Sequence, residues 1–105
     1  VLAALTHLEV LNLSANRLTD LGHSLDRLTA LRMIDVGHNP LTTLPAAVGS
    51  NPDLAYLYAS DGRLTDLPGS LSQLARLTYL NLADNQLASL PEWIGDLRAL
   101  VELRV

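Results

Sequence analysis

Three groupings of side chains in this sequence have the types that could do chemistry. His23, Ser24 and Asp26 are the residue types of a hydrolase triad. They fall within four consecutive positions, so their side chains diverge, and no nucleophile-elbow or oxyanion-hole motif accompanies them. Acyl transfer is not expected. His38, Asp61 and Asp84 recur at steps of 23 residues. A histidine and two carboxylates side by side can ligate a divalent metal, yet small polar residues are also what an exposed turn carries, and that plainer reading is preferred. His7 reads as an exposed turn residue on the same grounds. The third grouping is Tyr56, Tyr58 and Tyr79, the only tyrosines in the chain. Rigid rings with polar tips suit recognition rather than bond-making. Neither catalysis, a metal nor a cofactor is expected from these residues.

The elements that position these groups follow from a repeat. Leu8, Leu31, Leu54, Leu77 and Leu100 are 23 residues apart, as are Leu11, Ile34, Leu57, Leu80 and Leu103. Leu13, Val36, Ala59, Leu82 and Val105 form a third column, and Leu18, Leu41, Leu64 and Leu87 a fourth. Two further columns are Leu21, Leu44, Leu67, Leu90 and Leu25, Val48, Leu71, Ile94. Around Leu11–Asn12–Leu13 apolar and polar residues alternate, which predicts a strand with one buried face. Strands are expected near 9–13, 32–36, 55–59, 78–82 and 101–105. After Leu44–Pro45, Leu67–Pro68 and Leu90–Pro91 the apolar spacing becomes three, as in Leu71, Leu74 and Leu77. That suits a short 3₁₀ or α turn with proline at its start. One strand and one turn cannot bury their apolar edge alone, but stacked copies can.

Composition narrows the partners. Leucine is about a quarter of the 105 residues, phenylalanine and cysteine are absent, and every cation is an arginine. The net charge of −4 and the lack of a basic cluster count against nucleic acid or an anionic membrane as partner. No apolar run approaches the ~20 residues of a membrane span. Without a disulfide framework or a signal-peptide pattern, a cytoplasmic protein is expected. The alternative location is that of a secreted effector acting inside a host cell.

The pattern L-x-x-L-x-L-x-x-N-x-L followed by L-P-x-x-[LI]-x-x-L resembles the leucine-rich repeat. Its 23-residue form, as in Leu90-Pro-Glu-Trp-Ile-Gly-Asp-Leu97, is similar to the Ras-binding, scribble-like and plant intracellular class. The resemblance covers residues 1–105 as a single array of about four and a half repeats. It implies an α/β solenoid, a right-handed superhelix with a concave parallel sheet and short 3₁₀ or α turns on the convex side. It further implies a protein-binding scaffold. Bacterial relatives occur as free arrays or joined to kinase, GTPase or ubiquitin-ligase domains, and the bias to alanine, arginine and aspartate without lysine suits a GC-rich bacterial genome.

In such a coil the turn after each strand leaves backbone groups pointing inward. An asparagine amide can donate and accept there, so Asn16, Asn39 and Asn85 are expected to form a ladder along the stack. Gly62 stands where the third asparagine belongs. Water or an altered turn, with φ > 0 open to the glycine, is expected in its place, making the third repeat the loosest part of the ladder. Asn51 stands in the column of Leu28, Leu74 and Leu97, with Pro52 behind it. An extended rather than helical outer turn is expected there, and at Gly22, where proline is missing, a tolerated variation.

The strand residues between the buried columns face the concave side. One row is Val10, Met33, Tyr56, Tyr79 and Glu102; the next is Asn12, Asp35, Tyr58, Asn81 and Arg104. The tyrosines therefore gather with Met33, edged by Asp35 and Asn81. Asp61 and Asp84 lie on the rim beyond, and Arg104 on the last strand. These nine residues, Met33, Asp35, Tyr56, Tyr58, Asp61, Tyr79, Asn81, Asp84 and Arg104, form the expected partner-binding surface. Trp93, aligned with Ser24, Ala47 and Ser70, is expected to be mostly exposed on the outer turn while packing over the next repeat. The leading function is protein–protein interaction through the concave face. The alternative is the recognition array of a larger bacterial enzyme, an effector ubiquitin ligase or a kinase, with its catalysis elsewhere. Five strands at ~4.8 Å by five residues at ~3.3 Å project onto only about 400 Å², against ~800 Å² for a stable interface. With apolar residues at both uncapped ends, this leads to the expectation of a longer array or of end-to-end self-association.

Overall fold

The computed structural model describes residues 5–105. Alternation of apolar and polar residues produces five three-residue strands: β1 Val10–Asn12, β2 Met33–Asp35, β3 Tyr56–Tyr58, β4 Tyr79–Asn81 and β5 Glu102–Arg104. They are shorter than expected but centred on the same residues. All pair in parallel in chain order, giving one sheet β1-β2-β3-β4-β5. The register is the 23-residue step itself: Leu11 faces Ile34, Ile34 faces Leu57, Leu57 faces Leu80 and Leu80 faces Leu103. Beyond the strands the ladder continues, with Leu13, Val36, Ala59 and Leu82 N–H donating to the carbonyls of Asp35, Tyr58, Asn81 and Arg104 at 2.7–2.9 Å.

Three of the convex turns are 3₁₀ helices, Ala46–Ser50, Gly69–Gln73 and Glu92–Asp96. Each follows a proline whose φ of −64° or −65° is fixed by its ring, and the proline carbonyl accepts the N–H three residues on. Residues 22–27 form a looser turn instead. Gly22 there adopts φ +54°, which proline cannot, and its N–H is held by Asp20 Oδ1 at 2.8 Å. Between strands and turns lies one leucine core. Leu31, Ile34, Leu54, Leu57 and Leu77 have no measurable exposure. Burying one such leucine is worth about 1.5–3 kcal/mol, and truncating Leu57 to alanine should cost about 2–5 kcal/mol.

Asn51 corrects the sequence reading. The turn before it is helical like its neighbours, only Asn51 itself being extended at φ −107° and ψ 92°. Its side chain is fully buried, 1% exposed, in the leucine column. Its Oδ1 accepts the Leu31 N–H at 3.0 Å, and its Nδ2 donates to Val48 O at 3.2 Å and Ala47 O at 3.4 Å. A polar residue survives in the core because every one of its bonds is made. Trp93 is also corrected: it is half-buried against the core rather than mostly exposed.

The asparagine ladder is present where asparagines are. Asn39 Oδ1 accepts from Asn16 N–H and Leu18 N–H at 2.9 Å, and its Nδ2 donates to Leu13, Val36 and Gly37 carbonyls at 3.0 Å. Asn85 Oδ1 accepts from Leu64 N–H at 3.0 Å, while its Nδ2 reaches Ala59, Leu82 and Ala83 carbonyls. Asn16 Nδ2 binds the Leu13 and Ser14 carbonyls of its own coil. At Gly62 no side chain continues the ladder. The positive φ belongs to Asp61, at 53°, and Leu41 N–H turns to Asn39 O at 2.7 Å. A Cβ on Gly62 would stand 2.8 Å from Asn85 Oδ1 and 3.2 Å from Asn39 O. The turn thus keeps the backbone of its neighbours, with no positive φ at the glycine, and the missing amide is answered by Leu41 N–H bonding within its own coil.

Across the described residues, side chain-to-backbone bonds between repeats share one direction. Asn39, Asn51, Ser70, Thr78 and Asn85 each reach back to the backbone of the preceding repeat.

Candidate protein-binding face

The sheet register brings the concave residues together as the columns require. Met33, Tyr56 and Tyr79 lie side by side on β2, β3 and β4, with Asp35, Tyr58 and Asn81 in the parallel row. Among the described residues no second layer covers this side of the sheet. Tyr56 remains 45% exposed, whereas Met33, Tyr58, Tyr79, Asp35 and Asn81 are half-buried against one another. The close aromatic contact is diagonal: the Tyr58 and Tyr79 rings have centroids 4.9 Å apart and are tilted by 47°. Offset and tilted arrangements let the edge of one ring meet the face of another. Asn81 Nδ2 donates to Tyr79 Oη at 3.2 Å and fixes that ring from the other side. Partial burial, then the neighbouring Tyr79, Tyr56, Asp35 and Glu102, push the Tyr58 phenol above its ordinary value of 10.0.

Two outer members of the expected surface, Arg104 and Asp61, already have partners. Arg104 Nε donates to Glu102 Oε2 at 2.7 Å, and this hydrogen bond raises its pKa further. Asp61 Oδ2 lies 3.0 Å from His38 Nδ1, both groups largely in solvent. Asp84 is exposed one repeat further on. What unites His38, Asp61 and Asp84 is backbone geometry, since all three have left-handed φ of 53–59°. Aspartate and histidine are enriched in that conformation among non-glycine residues. Among the described residues no three His, Asp or Glu side chains gather where they could hold an ion. The triad-like residues are likewise dispersed. His23 Nδ1 meets Asp26 Oδ2 at 3.0 Å, but Ser24 Oγ donates to Leu21 O at 2.7 Å, away from the ring. His7 lies exposed in a turn, as expected.

Val101 belongs to the face and was missed. It is 86% exposed and lines a shallow depression with Tyr56, Thr78, Tyr79 and Glu102. Its column otherwise reads Glu9, Arg32, Ala55 and Thr78, so a large apolar residue there was the available signal. Elsewhere, exposed ion pairs link Arg32 to Glu9 at 3.8 Å and Arg76 to Asp53 at 2.9 Å across adjacent repeats. No helix among the described residues is long and apolar enough to cross a membrane.

Sequence profiles described as leucine rich repeat match residues 1–41 and 76–97. The chain is thus a leucine-rich repeat protein, and its five-stranded parallel sheet with short 3₁₀ turns is a leucine-rich repeat solenoid. Solved structures agree. An internalin from Listeria monocytogenes superimposes with a TM-score of 0.87 at 31% identity over 98% of this chain. A leucine-rich repeat protein of Leptospira interrogans gives 0.74 at 33% identity over 82% of it. The ectodomain of a plant membrane receptor kinase from Arabidopsis thaliana, in complex with Casparian strip integrity factor 2, gives 0.80 at 34% identity over 97%. The chain spans only 29%, 22% and 13% of these three proteins respectively. No curated protein sequence matches it.

Proposed function

We propose that this chain is a protein-interaction module that holds an extended segment of a partner protein across β2–β4. The observation that carries the reading is the uncovered cluster of Met33, Tyr56, Tyr58 and Tyr79 on a rigid sheet. Interface centres are rich in such aromatic anchors, which lose little entropy on binding and keep a polar tip. The Arabidopsis neighbour, solved with a bound factor, accords with recognition by a solenoid of this kind. Where such an array serves a larger enzyme, it contributes recognition and the chemistry lies outside these residues.

Tyr56 is the residue to change, because Tyr79 and Tyr58 also support each other. Peptides selected from a displayed random library on the wild-type chain should lose about fivefold to thirtyfold in affinity for Tyr56→Ser, as hot-spot residues do. Its melting temperature should stay unchanged. Selected peptides that bind Tyr56→Ser and Met33→Ser as tightly as wild type would move the site off this face.

A further inference from the structure

After each strand the chain turns, and in three repeats a strand side chain closes that turn. Asn12 Oδ1 accepts the Ser14 N–H at 3.0 Å, Asp35 Oδ1 that of Gly37 at 2.9 Å, and Asn81 Oδ1 that of Ala83 at 3.1 Å. Short Asx side chains can fold back onto the N–H two residues on. β3 breaks the row with Tyr58, whose only oxygen lies at the far end of a ring and cannot make that bond. On either side of the affected residue, Ala59 and Asp61 N–H donate forward to Asn81 and Ala83 carbonyls at 2.9 Å. Ser60 O accepts from His38 N–H at 2.9 Å. The Ser60 N–H is left without the side-chain acceptor that its counterparts Ser14, Gly37 and Ala83 have. It sits half-buried beside the tyrosine cluster.

Resting on the binding reading above, we infer that the partner supplies this acceptor with an asparagine or glutamine side chain laid against Tyr58. The acceptors used in the other repeats are two carboxamides and one carboxylate, which defines the shape the position takes. The register sets Asp35 beside Tyr58, so a partner carboxylate laid there would be repelled. A carboxamide carries no charge, and it brings a donor as well as an acceptor. With its C=O on the Ser60 N–H, its NH₂ has the Asp35 carboxylate beside it, of which Oδ1 is held by Gly37 N–H. A group that leaves a protein donor unmet forfeits binding, so this position discriminates among partners rather than merely adding contact.

Two measurements on the whole chain test this. In the free protein, the Ser60 amide should exchange with solvent roughly tenfold faster than those of Gly37 and Ala83, as expected of an N–H lacking its bond. Exchange as slow as theirs would show the donor already satisfied and end the proposal. Second, the displayed random library should be selected in parallel on wild type and on Tyr58→Asn and Tyr58→Phe. Tyr58→Asn restores an internal acceptor; Tyr58→Phe keeps the ring and the open N–H. Wild type and Tyr58→Phe should enrich one fixed asparagine or glutamine, and Tyr58→Asn should not. Tyr56-dependent peptides with Asp, Glu or no preference at that position would overturn the inference while leaving concave-face binding intact. A library yielding no Tyr56-dependent peptide would overturn both.

Discussion

The ring of Tyr58 on β3 rests 4.9 Å from that of Tyr79 on β4, although the sheet register pairs Tyr58 with Asn81. The contact therefore depends on side-chain rotamers as well as on strand pairing, and it couples the two rows of the concave face. It also sets a pH dependence. The Tyr58 phenol is raised above 10.0 chiefly by partial burial, so the folded state holds this proton more firmly than the unfolded chain does. Its stabilising contribution is complete below the unfolded pKa of about 10 and is lost as pH rises through the folded value. Melting temperature followed from pH 9 upward, in wild type and Tyr58→Phe, should show a steeper alkaline fall in wild type. Parallel curves would mean that Tyr58 ionises as it does in the unfolded chain.

Asn51 should behave as a core residue. Asn51→Ala removes the acceptor of a buried N–H, that of Leu31, and should cost about 1–3 kcal/mol in denaturant unfolding. Asn51→Leu restores the leucine column and should recover part of that loss. A change below about 0.5 kcal/mol for Asn51→Ala, the range of ordinary surface positions, would remove it from the list of structural anchors.

Gly62 should resist enlargement. Gly62→Ala places a methyl 2.8 Å from Asn85 Oδ1, and overpacking of this kind typically costs about 1–3 kcal/mol, outweighing the gain from a stiffer unfolded chain. Gly62→Asn should also lower the melting temperature, though by less, because its amide regains ladder bonds that offset part of the crowding. A rise with asparagine would show that Asn85 and Asn39 give way to the side chain at almost no cost.

Two glycines on the convex side should give opposite results. A Cβ on Gly49 would stand 2.6 Å from the Ser70 carbonyl carbon, where two 3₁₀ turns stack, so Gly49→Ala should destabilise by about 1–3 kcal/mol. Gly69 starts the next turn and has nothing within 4 Å of such a Cβ, so Gly69→Ala should be neutral or stabilising by up to about 1 kcal/mol. Calorimetric melts of the pair would separate packing from conformational freedom.

The architecture was open to sequence reading because translation by 23 residues fixes register at every column. Once Leu11 and Ile34 are neighbours, Tyr56 must stand between Met33 and Tyr79, and it does. What escaped were departures from the column average. Asn51 looked like an interruption of a leucine column, since a sequence does not show whether a polar side chain finds all its partners inside. The Tyr58–Tyr79 contact crosses the register, which column alignment cannot express. At Gly62 the column shows a missing amide but not that Leu41 N–H finds the Asn39 carbonyl instead. The rim residues His38, Asp61 and Asp84 aligned for a reason of backbone conformation, which resembled a ligand set only in residue type.

The backward reach of the inter-repeat side chains bears on how the chain is made. Leu31 N–H waits for Asn51, and Leu18 N–H for Asn39, so each coil is completed by a residue about one repeat downstream. A ribosome adding about 5–20 residues each second needs roughly one to four seconds to supply it. Until then the newest coil lacks the bond that its downstream asparagine supplies. The leading edge of the growing solenoid would then lag synthesis by about one repeat, advancing toward the C-terminus as each downstream asparagine arrives.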